Sequence, residues 1–473
     1  MSKPVYITTT LPYVNAPLHM GHALEFVRAD AVARHRKLLG DDVFFNTGTD
    51  EHGQKIYKKA AETGKDVQKF VDDAFEVFRK QVESFGVTKD VHFIRTTDVH
   101  HIVGAQEFWK RVADNGYIYK KNYQAKYCVG CESEKTDSEL VNGECPDHPG
   151  TSIEIINEEN YFFKLSALQD KLLDFYNKNP QFIVPAFRFN EIKAFTERGL
   201  QDFSISRMKE KMSWGVSVPG DANHVMYVWF DALSNYISTL GWPEDQTTFE
   251  KYWVNGNPIQ YCGKDNTRFQ GVIWQAMLMA AGLPNTNKIV VNGHITADGG
   301  VKMSKTLGNV VDPLVIAEEY GTDALRMFLL KEISSFEDSP FTIERFKEAY
   351  NASLANGLGN LASRTLTLSE KYIEPLSGMP AYVGEIEGFD IQKTVNAVWE
   401  KISDLDRYIN AEKPFSVVKE DLEKGKALII NCVTRLAEIA VSLKPFMPET
   451  ADNLEKLIRE NKKPEKPLFL RKD

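Results

Sequence analysis

Basic charge, cysteine and long apolar runs are all scarce in this chain, and each scarcity removes a class of protein. Formal net charge at pH 7 is −9, from 57 Lys and Arg against 66 Asp and Glu, so no global basic field advertises nucleic acid, although a local basic surface stays open. Five cysteines in 473 residues, three of them at Cys128, Cys131 and Cys145, do not make a secreted disulfide framework. Residues 1–13 lack an apolar targeting core, and the most apolar later stretch, Ala427 to Leu443, is broken by Asn431, Arg435 and Glu438. A soluble, cytoplasmic chain with no membrane partner is expected. What remains is ordinary globular composition, 42% hydrophobic and 26% charged, with length for about two to four domains.

The most informative stretch runs from Pro12 to His22. Val5 to Thr10 is β-branched and aromatic, as a strand prefers, whereas Ala23 to Leu39 carries helix formers with Leu24, Val27, Ala31 and Leu38 on one stripe. Between them, His19, Gly21 and His22 fall where a helix begins. Unpaired N–H groups and partial positive charge at a helix start favour phosphate, and two imidazoles beside them can stabilise charge on phosphoryl oxygens. Ordinary helix capping by the histidines is the competing local explanation.

Asp42 to Asn46 predicts a second strand, leading into Asp50, Glu51, His52 and Gly53. Polar turns after apolar strands belong at the carboxyl edge of a parallel sheet, where open α/β folds bind ligands. Asp50 there suits an ammonium group; helix capping is the alternative. The run from Val225 to Ala232 predicts another buried strand, and Ile259–Asp265 and Lys288–Gly293 repeat the strand-then-turn pattern. Strands alternating with helices on both sides of residues 118–220 predict one doubly wound parallel α/β sheet, of Rossmann type, split by an insert.

Inside that insert, Cys128 and Cys131 are followed after thirteen residues by Cys145 and His148. Two pairs of soft ligands with two-residue gaps match the way a chain wraps zinc tetrahedrally. Four protein ligands close the site, so one structural Zn2+ is expected. Cys262 and Cys432 are isolated and read as small buried hydrophobes.

Lys302, Ser304, Lys305 and Thr306 follow a Gly299–Gly300 turn. Two lysines in a glycine-rich loop can clamp polyphosphate and move as it leaves; a solvated basic loop is the alternative. Beyond Phe341 the apolar spacing is helical almost throughout, with stripes at Phe346–Leu361, Val395–Ile409 and Ala427–Leu443, and an all-α bundle is expected. Expected domains are a first α/β half at 1–117, the zinc insert at 118–220, the second α/β half at 221–295, a lysine-loop region at 296–345, and the helical domain at 346–473.

Taken in order, His19-Met20-Gly21-His22, the Cys/His knuckle, Lys302-Met303-Ser304-Lys305-Thr306 and the helical bundle resemble a class I aminoacyl-tRNA synthetase. With Leu11-Pro12-Tyr13, Asp50-Glu51-His52-Gly53 and Tyr227-Val228-Trp229-Phe230-Asp231, the chain is similar along its length to the methionyl-tRNA synthetase family, in the subgroup with one zinc knuckle. The resemblance implies ATP-dependent activation of L-methionine and its transfer to the 3′ end of tRNA(Met), with Mg2+ accompanying ATP. It implies ATP contacts at His19, Gly21, His22, Glu25, Asp265 and Lys305, and catalytic roles for His19, His22, Lys302 and Lys305. Methionine contacts are implied at Leu11, Tyr13, Asp50, Trp229, Tyr236 and Trp274, an active-site arginine at Arg207, and reading of the CAU anticodon at Asn360, Arg364 and Phe415.

Four positions depart from the family pattern: Asn266 replaces an aliphatic residue, Gln270 a histidine, Thr306 a serine and Phe415 a tryptophan. The chain ends at Asp473 without an appended dimerisation domain, so a monomer is expected. Another class I synthetase with an aliphatic or sulfur-containing substrate, and an inactive tRNA-binding module, are the competing functions.

Overall fold

Val5 and Ile7 enter one hydrophobic core while Tyr6 between them enters another, and the same alternation separates Phe45 from Phe44 and Val290 from Ile289 and Val291. Period-two alternation with both faces apolar is the signature of a sheet covered on both sides. The structure, a computed structural model, describes residues 2–131, 133–300 and 311–472. Lys302, Ser304, Lys305 and Thr306 lie outside the described residues.

Strands are β1 (Pro4–Thr8), β2 (Asp42–Thr49), β3 (His92–Arg95), β4 (Ile118–Cys128), β5 (Ser133–Lys135), β6 (Ile153–Phe163), β7 (Ile183–Val184), β8 (Phe203–Ser204), β9 (Ser206–Met208), β10 (His224–Met226), β11 (Ile259–Gly263) and β12 (Lys288–Asn292). The main sheet is parallel, ordered β3-β2-β1-β11-β12-β7. Strand order reverses between β1 and β11. Their carboxyl ends, with those of β2 and β12, therefore open into a shared crevice.

Helix α1 (Met20–Leu38) follows β1 and is buried on nearly every side. His19 caps it in extended conformation, its imidazole accepting the Gly21 N–H. Over residues 20–38 the abundant alanines let α1 lie close to its neighbours, since Ala23, Ala29, Ala31 and Ala33 are all fully buried. The first core continues without a break from α1 and the helix Val67–Ser84 into the C-terminal helices Asn360–Tyr372, Ile391–Glu412, Leu422–Leu443 and Pro448–Glu460. Among the described residues, no helix is long and apolar enough to cross a membrane.

Two expectations need revision. The run from Val225 to Ala232 is not one strand: β10 stops at Met226 and Val228–Leu233 is helical. A short apolar run cannot separate the two forms by periodicity. Here the N–H groups of Phe230 and Asp231 both turn back to the Tyr227 carbonyl, which starts the helix.

The insert is also interrupted. β4, β5, β6 and β8 make an antiparallel sheet, but β7, inside the range 118–220, is the edge strand of the parallel sheet. The flanking helices Gln169–Lys178 and Ala186–Glu197 pack into the second core of that sheet. A two-residue strand leaves too little pattern to find in a sequence.

Candidate active site and metal centre

A cavity of about 430 Å³ occupies the crevice. It brings together nine predicted residues, Leu11, Tyr13, His19, Gly21, His22, Glu25, Asp50, Trp229 and Asp265. They come from the loops after β1, β2 and β11, from the first turns of α1, and from the helix Val228–Leu233.

His19 and His22 stack with ring centroids 3.8 Å apart. His22 Nδ1 accepts the His19 backbone N–H at 3.2 Å, and His19 Nδ1 accepts the Gly21 N–H at 3.1 Å. A ring nitrogen that accepts carries no proton, so in the neutral form each imidazole holds its hydrogen on Nε2. Burial, then the neighbouring His19, hold the His22 pKa well below its ordinary value. At neutral pH His22 is thus an uncharged donor fixed at a helix start.

Glu25 lies one turn further along, its Oε1 accepting from both the amide and the hydroxyl of Thr10 at 2.7 and 2.6 Å. Burial pushes its pKa up to about 8, against the Thr10 hydrogen bonds that favour the anion. The native state therefore holds a proton that the unfolded chain releases above pH 4.5. Stability should fall as pH rises from about 4.5 to about 8 and level off beyond. Glu25→Gln, neutral throughout, flattens that slope in thermal melts measured across pH 5 to 9.

Asp50 is held by its backbone: its N–H donates to Pro12 and its carbonyl accepts from Val14. Gly53 closes this turn at φ +107°, and a Cβ there would lie 2.2 Å from the Tyr13 hydroxyl. Both constraints require glycine. Gly53→Ala should cost several kcal/mol of local strain, about 1–3 kcal/mol from the dihedral alone, and raise KM for the ligand of Asp50.

Behind the turn, buried Asp231 receives His52 Nδ1 at 2.6 Å and His101 Nε2 at 2.8 Å, and Ser238 bonds the other nitrogen of His101 at 2.8 Å. Burial acts to raise the Asp231 pKa, but His52 and His101 together outweigh it and bring it down to about 2. Glu51 is gripped by Arg95 at 2.8 and 3.0 Å. These pairs make the segment 50–53 rigid.

Trp229 stacks on Phe269, centroids 3.7 Å apart, at one side of the cavity. Tyr236 and Trp274 are not on its wall. Both are buried in the second core, and the Tyr236 hydroxyl accepts from Gln270 Nε2 at 2.5 Å. Arg207 lies in a smaller adjoining cavity, its guanidinium between the rings of Tyr127 and Tyr227 at 4.9 and 4.8 Å.

The cavity wall also includes Thr10, Lys55, Gly130, Cys131, Asn292 and His294, which lie outside the expected set. His294 Nε2 lies 3.5 Å from Asp265. Asn292 and His294 follow the same strand-then-turn signal as Asp265, and that signal was sufficient to flag them.

Cys128, Cys131, Cys145 and His148 converge, with all four ligand atoms within 4.8 Å of one another. Cys131 Sγ lies 3.4 Å from Cys145 Sγ and 3.3 Å from His148 Nδ1. Bonds of about 2.3 Å to sulfur and 2.0–2.1 Å to nitrogen in a tetrahedron give edges of about 3.5–3.8 Å, so the four fit a single ion. Gly130 is required here because a Cβ would meet the His148 ring at 2.4 Å.

In the bundle, Arg364 donates to Asp406 at 3.0 Å and to Asn410 at 3.1 Å, and Asn410 donates to Asp406 at 3.0 Å. Asn360 is exposed one turn before Arg364, and Phe415 is 41% exposed.

The family model for class I tRNA synthetases (M) matches residues 5–153 and 148–366. A methionine–tRNA ligase of Caldanaerobacter subterraneus subsp. tengcongensis is 41% identical over 95% of this chain and 73% of its own length. The chain belongs to the methionyl-tRNA synthetase family. A methionine–tRNA ligase of Rickettsia bellii, 38% identical, is matched over 96% of this chain and 92% of its own length. Among solved structures of the family, Mycobacterium tuberculosis methionyl-tRNA synthetase in complex with methionyl-adenylate aligns at TM-score 0.90 and 33% identity, covering 99% of this chain and 100% of that one.

Proposed function

We propose that this chain is an ATP-dependent methionine–tRNA ligase whose two half-reactions share the cavity at the β1/β11 crevice. The carrying observation is the convergence of a helix start, two Nε2–H imidazoles and a buried carboxylate at the carboxyl ends of four parallel strands.

In the first half-reaction the methionine carboxylate attacks the α-phosphorus of ATP and pyrophosphate departs. Such a step gains mainly from alignment and from stabilising charge on the phosphoryl oxygens. His19 and His22 donate to those oxygens, Gly21 lets the nucleotide approach α1, and Glu25 and Asp265 sit beside it. Lys302 and Lys305 neutralise the departing pyrophosphate. Mg2+ accompanying ATP would supply further charge neutralisation there.

Asp50 pairs with the methionine ammonium. Leu11, Tyr13 and Trp229 supply an apolar, aromatic wall for a side chain with no charge or hydroxyl to grip. Tyr236 and Trp274, buried in the second core, lie outside that wall. Gln270 sets the position of the Tyr236 hydroxyl. Arg207 supplies a buried positive charge in the adjoining cavity. Asn360, Arg364 and Phe415 read the CAU anticodon, Phe415 by stacking with a smaller face than tryptophan.

The knuckle holds one structural Zn2+ through Cys128, Cys131, Cys145 and His148. Gly130 and Cys131 also line the cavity, so metal and activity are linked. Metal analysis of protein purified without chelator should give about one zinc per chain. Its removal should lower methionine activation roughly tenfold or more, measured as ATP–pyrophosphate exchange. That exchange assay with methionine tests the functional proposal as a whole.

A further inference from the structure

We propose that Arg28, a residue of α1 outside the cavity, is a positioning residue that links the nucleotide wall to the helix Ile391–Glu412, whose Asp406 and Asn410 hold the anticodon-reading Arg364. The proposal rests on the function assigned above, since it needs ATP chemistry at one end and tRNA reading at the other.

Arg28 is 2% exposed, yet the partners its guanidinium bonds are all neutral oxygens. Its Nη1 donates to Asn292 Oδ1 at 3.0 Å and to the Ser335 carbonyl at 2.8 Å. Its Nη2 donates to the carbonyls of Ile333 at 3.1 Å and Ser334 at 2.7 Å. A buried guanidinium solvated by neutral oxygens contributes less stability than a well-packed apolar residue of similar volume. Rigid geometry is what it supplies instead, because the planar fork fixes several acceptors relative to one another.

Both ends of this fork lead somewhere. Asn292 lines the cavity, beside His294 and Asp265. Arg28 itself lies two turns along α1 from His22. On the other side, the Ser335 hydroxyl donates to Asp390 at 2.7 Å and accepts the Gln392 N–H at 3.0 Å. Asp390 is the N-cap of the helix Ile391–Glu412, accepting the Lys393 N–H at 3.1 Å. Gln392 Nε2 also donates to the Lys331 carbonyl at 2.9 Å.

That 22-residue helix carries Asp406 and Asn410, which hold Arg364. At 1.5 Å per residue the span from its cap to Asn410 is roughly 30 Å. A rotation of the helix when Arg364 exchanges its partners for a base would displace Asp390 and Ser335, and through Arg28 the Asn292 wall. No other side chain is required between the wall and the helix cap.

The test uses the full chain with Arg28→Met, Ser335→Ala, Arg364→Ala and the double variant Arg28→Met/Arg364→Ala. Methionine-dependent exchange without tRNA, aminoacylation kinetics and melting temperature are measured for each. Arg28→Met and Ser335→Ala should keep exchange within about threefold of wild type and leave KM for tRNA within about threefold. Their aminoacylation kcat should fall about tenfold. The double variant should be no slower than its slower parent, because both changes cut one connection. Parallel loss of exchange and aminoacylation, or multiplicative effects in the double variant, overturns the proposal and leaves Arg28 a structural clamp. If Arg28→Met does not fold, Ser335→Ala with Arg364→Ala gives the same cycle without opening the core. A wild-type chain inactive in exchange overturns the functional assignment itself, separately from the coupling.

Discussion

His22→Ala should lower kcat for methionine-dependent ATP–pyrophosphate exchange by about 10²–10³-fold, the usual effect of removing one preorganised donor to a developing oxyanion. The imidazole is poised for this before substrate arrives. Its Nδ1 is occupied by the His19 N–H at 3.2 Å, so Nε2–H is the available donor, and burial with His19 nearby keeps the ring uncharged at neutral pH. The substitution removes one hydrogen bond at the start of α1, worth about 0.5–1.5 kcal/mol, against a helix otherwise anchored over nineteen residues. Melting temperature should move by only a few degrees while kcat collapses. His22→Gln, whose amide can accept from His19 and donate outward, should recover part of the rate. Equal loss of rate and fold would place His22 in capping alone.

Asp50→Asn should raise KM for methionine far more than it lowers kcat. An ammonium paired with a buried carboxylate loses about 2–5 kcal/mol when that charge goes, a drop of about 30-fold or more in kcat/KM. The pair is present in substrate and transition state alike, so its loss appears as weaker binding. The backbone bonds from Asp50 to Pro12 and Val14 survive the substitution. A direct control is the methionine analogue lacking the amino group. Wild type should discriminate strongly against it, and Asp50→Asn should not. Retained discrimination in the variant would move the ammonium site elsewhere on the wall.

What could be read without coordinates was local. The strand-to-helix change around His19, the polar turns after β2 and β11, and the paired soft ligands at 128–148 each depend on spacing within a few residues. The structure brings each of these groups together as spaced. What could not be read depended on contacts distant in sequence. The helix Val228–Leu233 brings Asp231 to His52 and His101, 179 and 130 residues away in sequence. β7 joins the main sheet only through β12, more than a hundred residues later. The acceptors of Arg28 at Ile333–Ser335 lie some three hundred residues on. Resemblance alone puts Tyr236 and Trp274 beside methionine. In the structure the Trp229–Phe269 stack is at the cavity while those two rings lie in the core.

The helix α1 unites these observations. Its first turn carries the two imidazoles, its second carries Glu25, and its third carries Arg28, with Asp30 next to it in a buried ion pair to Arg326 at 2.7 Å. Arg326 in turn donates to the carbonyls of Pro445 and Phe446 at the end of the long helix Leu422–Leu443. One helix thus spans from the cavity to the bundle, and its position is set at both ends.

The most direct test of the central claim is a panel of ATP–pyrophosphate exchange rates with each standard amino acid. Methionine alone should support substantial exchange, with leucine, isoleucine and cysteine near background. No exchange with methionine, or equal exchange with one of those three, would contradict the account.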